Sequence, residues 1–284
     1  MGVKKIGVLG AGTMGAGIVQ VCLQAGFQVL MVDIEEAMLD QGMKSINKTW
    51  GRAVEKGRLT QEAVDGMLKL LTHNSDINEF KDCDLIIEAI VENIDIKKKV
   101  FAQLGEITSP KTILATNTSA LSVTEIAVAS KRVANVIGMH FFNPVPAMKL
   151  VEIIPGAETS QETVDAITDL CIKIGKEPVL AKESPGFIVN RILLPYINEA
   201  AHLHQEGVPA EDIDKAMMLG ANMPMGPLAL ADLVGLDVCL MICEYFWKEF
   251  GDSKYRPAIL LRNKVRAGHL GRKTGKGIYD YSKK

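Results

Sequence analysis

The sequence predicts an α/β chain in two parts: a mostly parallel sheet flanked by helices, followed by an all-helical segment. Three observations carry this expectation. Short apolar strand-like runs alternate with helical patterns as far as about Lys182, which is how a parallel sheet covered on both faces reads. From Pro185 onward the patterns are long and helical. A glycine cluster, Gly10-Ala-Gly12-Thr-Met-Gly15, stands between the first strand and the first helix.

Size and composition agree. At ~150 residues per domain, the 284 residues suggest two domains, placed at 1–183 and 184–284. Hydrophobic residues at 48% and charged residues at 23% describe a globular chain. Lysine plus arginine total 32 against 34 acids, a net charge of -2. No global basic field therefore exists, and neither nucleic acid nor a membrane is expected as a partner. No secretory leader and no run of ~18 apolar residues is found, so a cytoplasmic location is expected. Cys22, Cys83, Cys171, Cys239 and Cys243 are odd in number and scattered, which fits reduced thiols. Cys239 and Cys243 share a helix face but have no His nearby, so they read as core and no metal is expected.

The elements follow in order. Lys4 to Leu9 reads as a strand, Thr13 to Ala25 as a helix closed by Gly26, and Phe27 to Val32 as a second strand ending at Asp33. Glu35 to about Lys56 has helical periodicity. Asp84 to Ile90 is a strand and Ile94 to Ile107 a charged surface helix. Thr112 to Thr116, Val133 to Met139 and Lys149 to Ile154 are strands. Thr159-x-x-Glu162 reads as a capping box opening the next helix, and Glu177 to Ala181 is the last strand of the sheet. Pro185-Gly186 then suits the start of a helix running to about Glu206. Ala210 to Leu219, Pro227 to Phe250 and Pro257 to Ala267 are further helices, and Gly277 to Tyr281 is a candidate strand. Leu228 to Leu236 has little polar face, so it is expected to be buried in the chain or against another subunit.

The glycine cluster has a mechanism when a strand precedes it and a helix follows. Gly10 permits the tight turn, Gly12 lets a pyrophosphate approach the backbone, and Gly15 lets helix and strand pack closely. The helix N-terminus, with Thr13 and Met14 in its first turn, then offers free N–H groups to phosphate. Asp33 lies 23 positions after Gly10, near the ~20 expected of the acid that accepts ribose hydroxyls. The first part thus reads as a Rossmann-type dinucleotide-binding domain. Asp33 would repel a 2′-phosphate, and Ile34, Glu35 and Glu36 follow it rather than arginine, so NAD is expected over NADP.

Hydride transfer between a carbonyl and an alcohol needs a group that exchanges a proton near neutrality, which points to histidine. Of His73, His140, His202, His204 and His269, only His140 follows a strand and precedes a turn-rich loop, Phe-Phe-Asn-Pro-Val-Pro. That is the carboxyl edge where open α/β sheets bind ligands. Glu152 lies among apolar neighbours in Lys149-Leu-Val-Glu-Ile-Ile. It reads either as the partner of the second His140 nitrogen or as an edge-strand acid facing water.

On these residues the sequence resembles the 3-hydroxyacyl-CoA dehydrogenase family, and in particular its short bacterial members. The matching stretches are VLGAGTMGAGI from Val8, ATNTSALS from Ala115, GMHFFNPVPAMKLVEI from Gly138, SPGFIVNRIL from Ser184 and GRKTGKGIYDY from Gly271. They span both halves. The resemblance implies reversible NAD(P)H-dependent reduction of acetoacetyl-CoA to (S)-3-hydroxybutyryl-CoA. It implies His140 as general acid/base, Glu152 as its orienting partner, Ser119 on the substrate oxygen, and Asn190 holding the thioester end in a site closed between domains. For the cofactor it adds Glu92, Lys97, Ser119, Asn143 and Lys273 to Asp33 and the glycines. For the acyl-CoA it implies Thr49, Arg52 and Lys56. These lie on a basic helix face suited to a phosphorylated nucleotide, or on a face that is simply solvated. A homo-oligomer, at least a dimer, is expected through the apolar second part.

Competing expectations are a longer-chain 3-hydroxyacyl-CoA dehydrogenase and a non-catalytic nucleotide-binding protein on the same architecture. Tyr279 and Lys283 have the Tyr-x-x-x-Lys spacing of another dehydrogenase class, but follow the helical half and read as accidental. Gly-x-Ser-x-Gly and His-Glu-x-x-His are both absent from the sequence.

Overall fold

The structure is a computed structural model that describes residues 2–282. The first unit, Met1–Ser184, contains strands β1 (Lys5–Leu9), β2 (Gln28–Val32), β3 (Leu71–Asn74), β4 (Leu85–Glu88), β5 (Ile113–Thr116), β6 (Val136–Phe141), β7 (Leu150–Pro155) and β8 (Glu177–Leu180). They form one eight-stranded sheet in the order β3-β2-β1-β4-β5-β6-β7-β8. All neighbours are parallel except β6 and β7. The α/β architecture expected from the sequence is therefore the one adopted.

The helices of this unit are α1 (Thr13–Gln24), α2 (Glu36–Glu55), α3 (Gln61–Leu68), α4 (Ile94–Ile107), α5 (Val123–Ser130) and α6 (Gln161–Lys173). Both alternating sets of side chains on the central strands are buried, as a sheet covered on two faces requires. Ile6, Val8, Leu85 and Ile87 share one apolar cluster with Ile18 and Cys22 of α1, Ile46 and Trp50 of α2, and Ile167 and Leu170 of α6. On the opposite face, Gly7 makes room for Phe80: a Cβ there would stand 2.6 Å from the ring. Strand β1 sits between β2 and β4, so successive connections leave it in opposite directions. That is the switch point of the sheet, and open α/β sheets bind ligands beside its carboxyl ends.

The second unit, Pro185–Lys284, is built from α7 (Val189–Gln205), α8 (Ala210–Gly220), α9 (Pro227–Val234), α10 (Leu236–Phe250) and α11 (Ile259–Arg266). Phe246 is fully buried, and the Arg191 guanidinium lies 3.7 Å above the Phe250 ring. Two buried carboxylates tie the C-terminal segment down. Asp214 accepts the Leu228 and Ala229 N–H groups and the Tyr279 hydroxyl. Asp232 accepts the Ile278 and Tyr279 N–H groups and the Tyr281 hydroxyl.

Several local expectations are corrected. A 3₁₀ turn, Val133–Asn135, precedes β6, and β6 runs on through His140 and Phe141, so His140 lies within the strand rather than after it. Helix α3 and edge strand β3 were not foreseen; β3 is largely exposed and lacks the apolar run that marks a buried strand. Helix α4 is not only a surface helix, because Lys97 is fully buried. The cap of α6 is Ser160, whose hydroxyl accepts the Thr163 N–H, while the Thr159 hydroxyl donates to the Val136 carbonyl. Pro185 and Gly186 lie in turns before α7, and Gly186 has φ +78°. The span Pro227 to Phe250 is two helices, because Gly235 takes φ 107° between them. Gly277 to Tyr281 forms no strand; this segment shows only the isolated bridge Lys276↔Asp280.

Candidate active site

The glycine turn sits at the switch point. Gly10 has φ +105°, and a Cβ on it would stand 2.6 Å from the Ala89 carbonyl oxygen, so this turn excludes larger residues. A Cβ on Gly15 would stand 1.8 Å from the Gly10 carbonyl oxygen. Gly12 meets nothing nearer than the Met38 methyl at 4.0 Å, leaving the backbone open to a ligand. No side chain caps α1 at Gly12, so its first turn, Thr13 to Gly15, leaves N–H groups for an anion.

Asp33 follows β2. Its Oδ2 accepts the Ala11 N–H at 2.8 Å and its Oδ1 the Glu35 N–H at 3.2 Å. The turn therefore fixes the carboxylate, and each oxygen keeps a further lone pair. Ligand clefts typically enclose about 300–1,000 Å³. Here Gly10, Gly12, Asp33, Met38, Ala89, Ile90 and Val91 line a cleft of ≈ 670 Å³. Glycine turn, anion-ready helix end, fixed acid and apolar wall fit a dinucleotide.

Next along the sheet edge is a buried ionic group. Lys97 of α4 is 0% exposed, and its ammonium lies 2.6 Å from Glu88 and 3.5 Å from Glu92. Glu92 Oε1 accepts the Thr118 hydroxyl at 2.6 Å and the Ser119 N–H at 2.7 Å. Ser119 is half-buried in the loop after β5. Three of the residues singled out in the sequence, Glu92, Lys97 and Ser119, are thus brought together.

His140 and Glu152 are direct cross-strand partners in the antiparallel β6–β7 pair. The His140 Nδ1 lies 2.6 Å from Glu152 Oε2, with side chains 5% and 0% exposed. Of the two readings of Glu152, the partner of His140 is the one realised. A carboxylate on Nδ1 fixes the orientation of the ring. Asn117 Oδ1 accepts the Phe141 N–H at 2.8 Å, fixing β6 beside His140. Asn143 is exposed in the following loop, joined to Pro144 by a cis peptide. Lys176 donates to the Val145 and Met148 carbonyls of that loop; burial lowers its pKa, with Cys22 and Cys171 opposing.

Thr49 and Arg52 are exposed on α2, and Lys56 is exposed at its C-cap, while Ile46 and Trp50 of the same helix are buried. In the second unit, Asn190 stands in the first turn of α7, and Lys273 is exposed with its ammonium 2.7 Å from Asp237. Tyr279 donates to Asp214 at 2.7 Å, while Lys283 lies outside the described residues. Burial pushes Cys22, Cys171 and Cys243 up to about 12 and Cys83 to about 11, and raises Cys239. Such thiols are inert as nucleophiles near neutrality. Among the described residues, no group of three or more His, Cys, Asp or Glu could hold a metal ion, and no helix is long and apolar enough to cross a membrane.

Sequence reasoning missed Glu88, Asn117 and Lys176. Glu88 carried a usable signal: a carboxylate ending the apolar run Leu-Ile-Ile needs a partner just as Glu152 does. Asn117 and Lys176 bond to backbone groups distant in sequence, which no local pattern reveals.

Known proteins share both the sequence and the fold. A family model described as the 3-hydroxyacyl-CoA dehydrogenase NAD binding domain matches residues 5–184, and one for the C-terminal domain of the same family matches residues 186–281. The chain is 51% identical over 278 residues to a probable 3-hydroxybutyryl-CoA dehydrogenase of Deinococcus radiodurans, covering 98% of this chain and 100% of that one. It is 50% identical over 280 residues to a 3-hydroxybutyryl-CoA dehydrogenase of Clostridioides difficile, with 98% and 100% covered. The crystal structure of (S)-3-hydroxybutyryl-CoA dehydrogenase from Ralstonia eutropha matches at a TM-score of 0.95 and 46% identity, covering 99% of this chain and 100% of that chain.

Proposed function

The chain belongs to the 3-hydroxyacyl-CoA dehydrogenase family, and from that premise we propose that it interconverts acetoacetyl-CoA and (S)-3-hydroxybutyryl-CoA with NADH. The observation that carries the reading is the buried His140–Glu152 pair, 2.6 Å apart at the carboxyl edge of the sheet. NADH held along the glycine turn supplies the hydride that reduces C3 of the acyl chain.

The chain's own groups do the rest. His140 gives a proton from Nε2 to the C3 oxygen in reduction and takes it back in oxidation. Glu152 holds the ring in place. Ser119 steadies the same oxygen, and Glu92 fixes the Ser119 backbone. Lys97, with no exposed surface, acts on the ligand through Glu92. Asn143 and Lys273 belong to the same proposal as cofactor-binding residues, and Asn190 as a substrate-binding residue. Thr49, Arg52 and Lys56 offer hydroxyl and cationic groups to the coenzyme A phosphates. Asp33 favours NAD over NADP, because a 2′-phosphate would meet a carboxylate already fixed by Ala11 and Glu35. The second unit exposes Ile192, Leu219, Leu233 and Ile259, which supports a homodimer through it. A cytoplasmic location agrees with reduced, buried thiols.

Loss of NADH absorbance tests the reading, with four-, eight- and sixteen-carbon 3-ketoacyl-CoA substrates and each of NADH and NADPH. The highest kcat/KM is expected with the four-carbon substrate and NADH. Faster reduction of the longer chains would move the assignment to a longer-chain enzyme. No oxidation of either cofactor with any substrate would favour a non-catalytic nucleotide-binding protein.

A further inference from the structure

Glu88 is the last residue of β4, paired in register with Leu9 of β1 on one side and Thr116 of β5 on the other. It has no accessible surface, so it touches neither substrate nor cofactor. Its bonds nevertheless reach the segment after β4, helix α4 and the end of β5 with the loop that follows it. Oε1 accepts the Ile90 N–H at 2.8 Å and the Lys97 ammonium at 2.6 Å, and Oε2 accepts the Thr116 hydroxyl at 2.7 Å. Its main-chain carbonyl accepts the Asn117 N–H at 2.8 Å.

From these partners the connections run outward. Ile90 lines the cleft beside the glycine turn. Lys97 continues to Glu92, and Glu92 to the Ser119 N–H. Asn117 continues to the Phe141 N–H, next to His140. Two carboxylates share one ammonium in this group. If Glu88 lost its charge, Lys97 would be drawn wholly to Glu92, the carboxylate that holds Ser119. A fully buried ion pair adds little net stability over apolar groups of the same shape, but fixes geometry where one arrangement is needed.

We propose that Glu88 is a positioning residue for the reaction: through Lys97 its carboxylate sets the place of Glu92, and with it the Ser119 segment. This rests on the function proposed above.

The test compares wild type, Glu88→Gln, Lys97→Met and the double variant. It reads kcat and KM for acetoacetyl-CoA and NADH at a temperature where each is folded, with thermal midpoints alongside. Glu88→Gln keeps the shape and an acceptor oxygen but not the charge. It is expected to lower kcat about 10- to 100-fold, the scale of a reacting group misplaced by ~1 Å. The double variant is expected to fall to the level of Lys97→Met and no lower, since residues acting as one unit are non-additive. That comparison still decides if Glu88→Gln alone fails to fold, because the double variant leaves Lys97 without a charge to bury.

A Glu88→Gln enzyme with wild-type kcat, even at a lowered midpoint, would overturn the proposal. So would a double variant whose loss is the product of the two single losses. If wild type itself leaves acetoacetyl-CoA unreduced, the proposed function fails and the role of Glu88 with it. Where wild type is active, the variants bear on Glu88 alone.

Discussion

At the scale of the residue, buried charge needs a partner, and the site is built from such pairs. Glu152 is 0% exposed and faces His140 across an antiparallel pair. The contact holds the ring in one orientation. A hydrogen bond to a charged group contributes about 1.5–3 kcal/mol, so Glu152→Gln is expected to lower kcat by about 10- to 100-fold. NADH affinity should stay unchanged, because Glu152 lies apart from the glycine cleft. Steady-state rates with fluorescence titration of NADH check this; an unchanged kcat would remove Glu152 from its role. The histidine was legible because only one of five stood at the edge where ligands bind. Its distance to Glu152 was not, since a separation of 12 residues says nothing of strand direction until β6 and β7 are seen to be antiparallel. Lys97 shows the opposite limit: it sits in a run of three lysines, Lys97 to Lys99, which looks solvated, yet helical rotation turns Lys97 alone into the sheet.

At the scale of the element, periodicity recovered most strands and helices of the sheet unit, because strands buried on both faces read as continuous apolar runs. It failed where conformation depends on one backbone angle. Gly235 lies in an apolar stretch that reads as one helix, but its φ of +107° separates α9 from α10. Periodicity carries no information about such a break. An alanine at Gly235 would be held in a sparsely populated backbone region that costs an L-residue about 1–3 kcal/mol. Its Cβ would also stand 2.9 Å from Asp237 Oδ1 and 3.3 Å from the Lys273 ammonium. Gly235→Ala is therefore expected to lower the urea midpoint of unfolding, and a midpoint equal to wild type would show that the break tolerates a side chain. Edge strand β3 and helix α3 were missed for another reason: they bury little, so the apolar pattern that marks the central strands is weak there.

At the scale of the whole molecule, the near-balance of 32 basic against 34 acidic residues leaves binding to local arrangements rather than a global field. The sheet concentrates these arrangements at the carboxyl ends of its strands: the glycine turn after β1, Asp33 after β2, Glu88 ending β4, Ser119 after β5 and His140 in β6. The order of strands, which no single segment encodes, makes neighbours of residues far apart in the chain. In the function proposed above, these groups hold a nicotinamide cofactor and an acyl-CoA for hydride transfer between them, with His140 moving the proton. The most direct measurement is acetoacetyl-CoA reduction by His140→Gln beside wild type, with NADH binding titrated on the same samples. The expected result is a fall in turnover of about 10²- to 10⁴-fold with NADH affinity retained; wild-type turnover in the variant would contradict the claim.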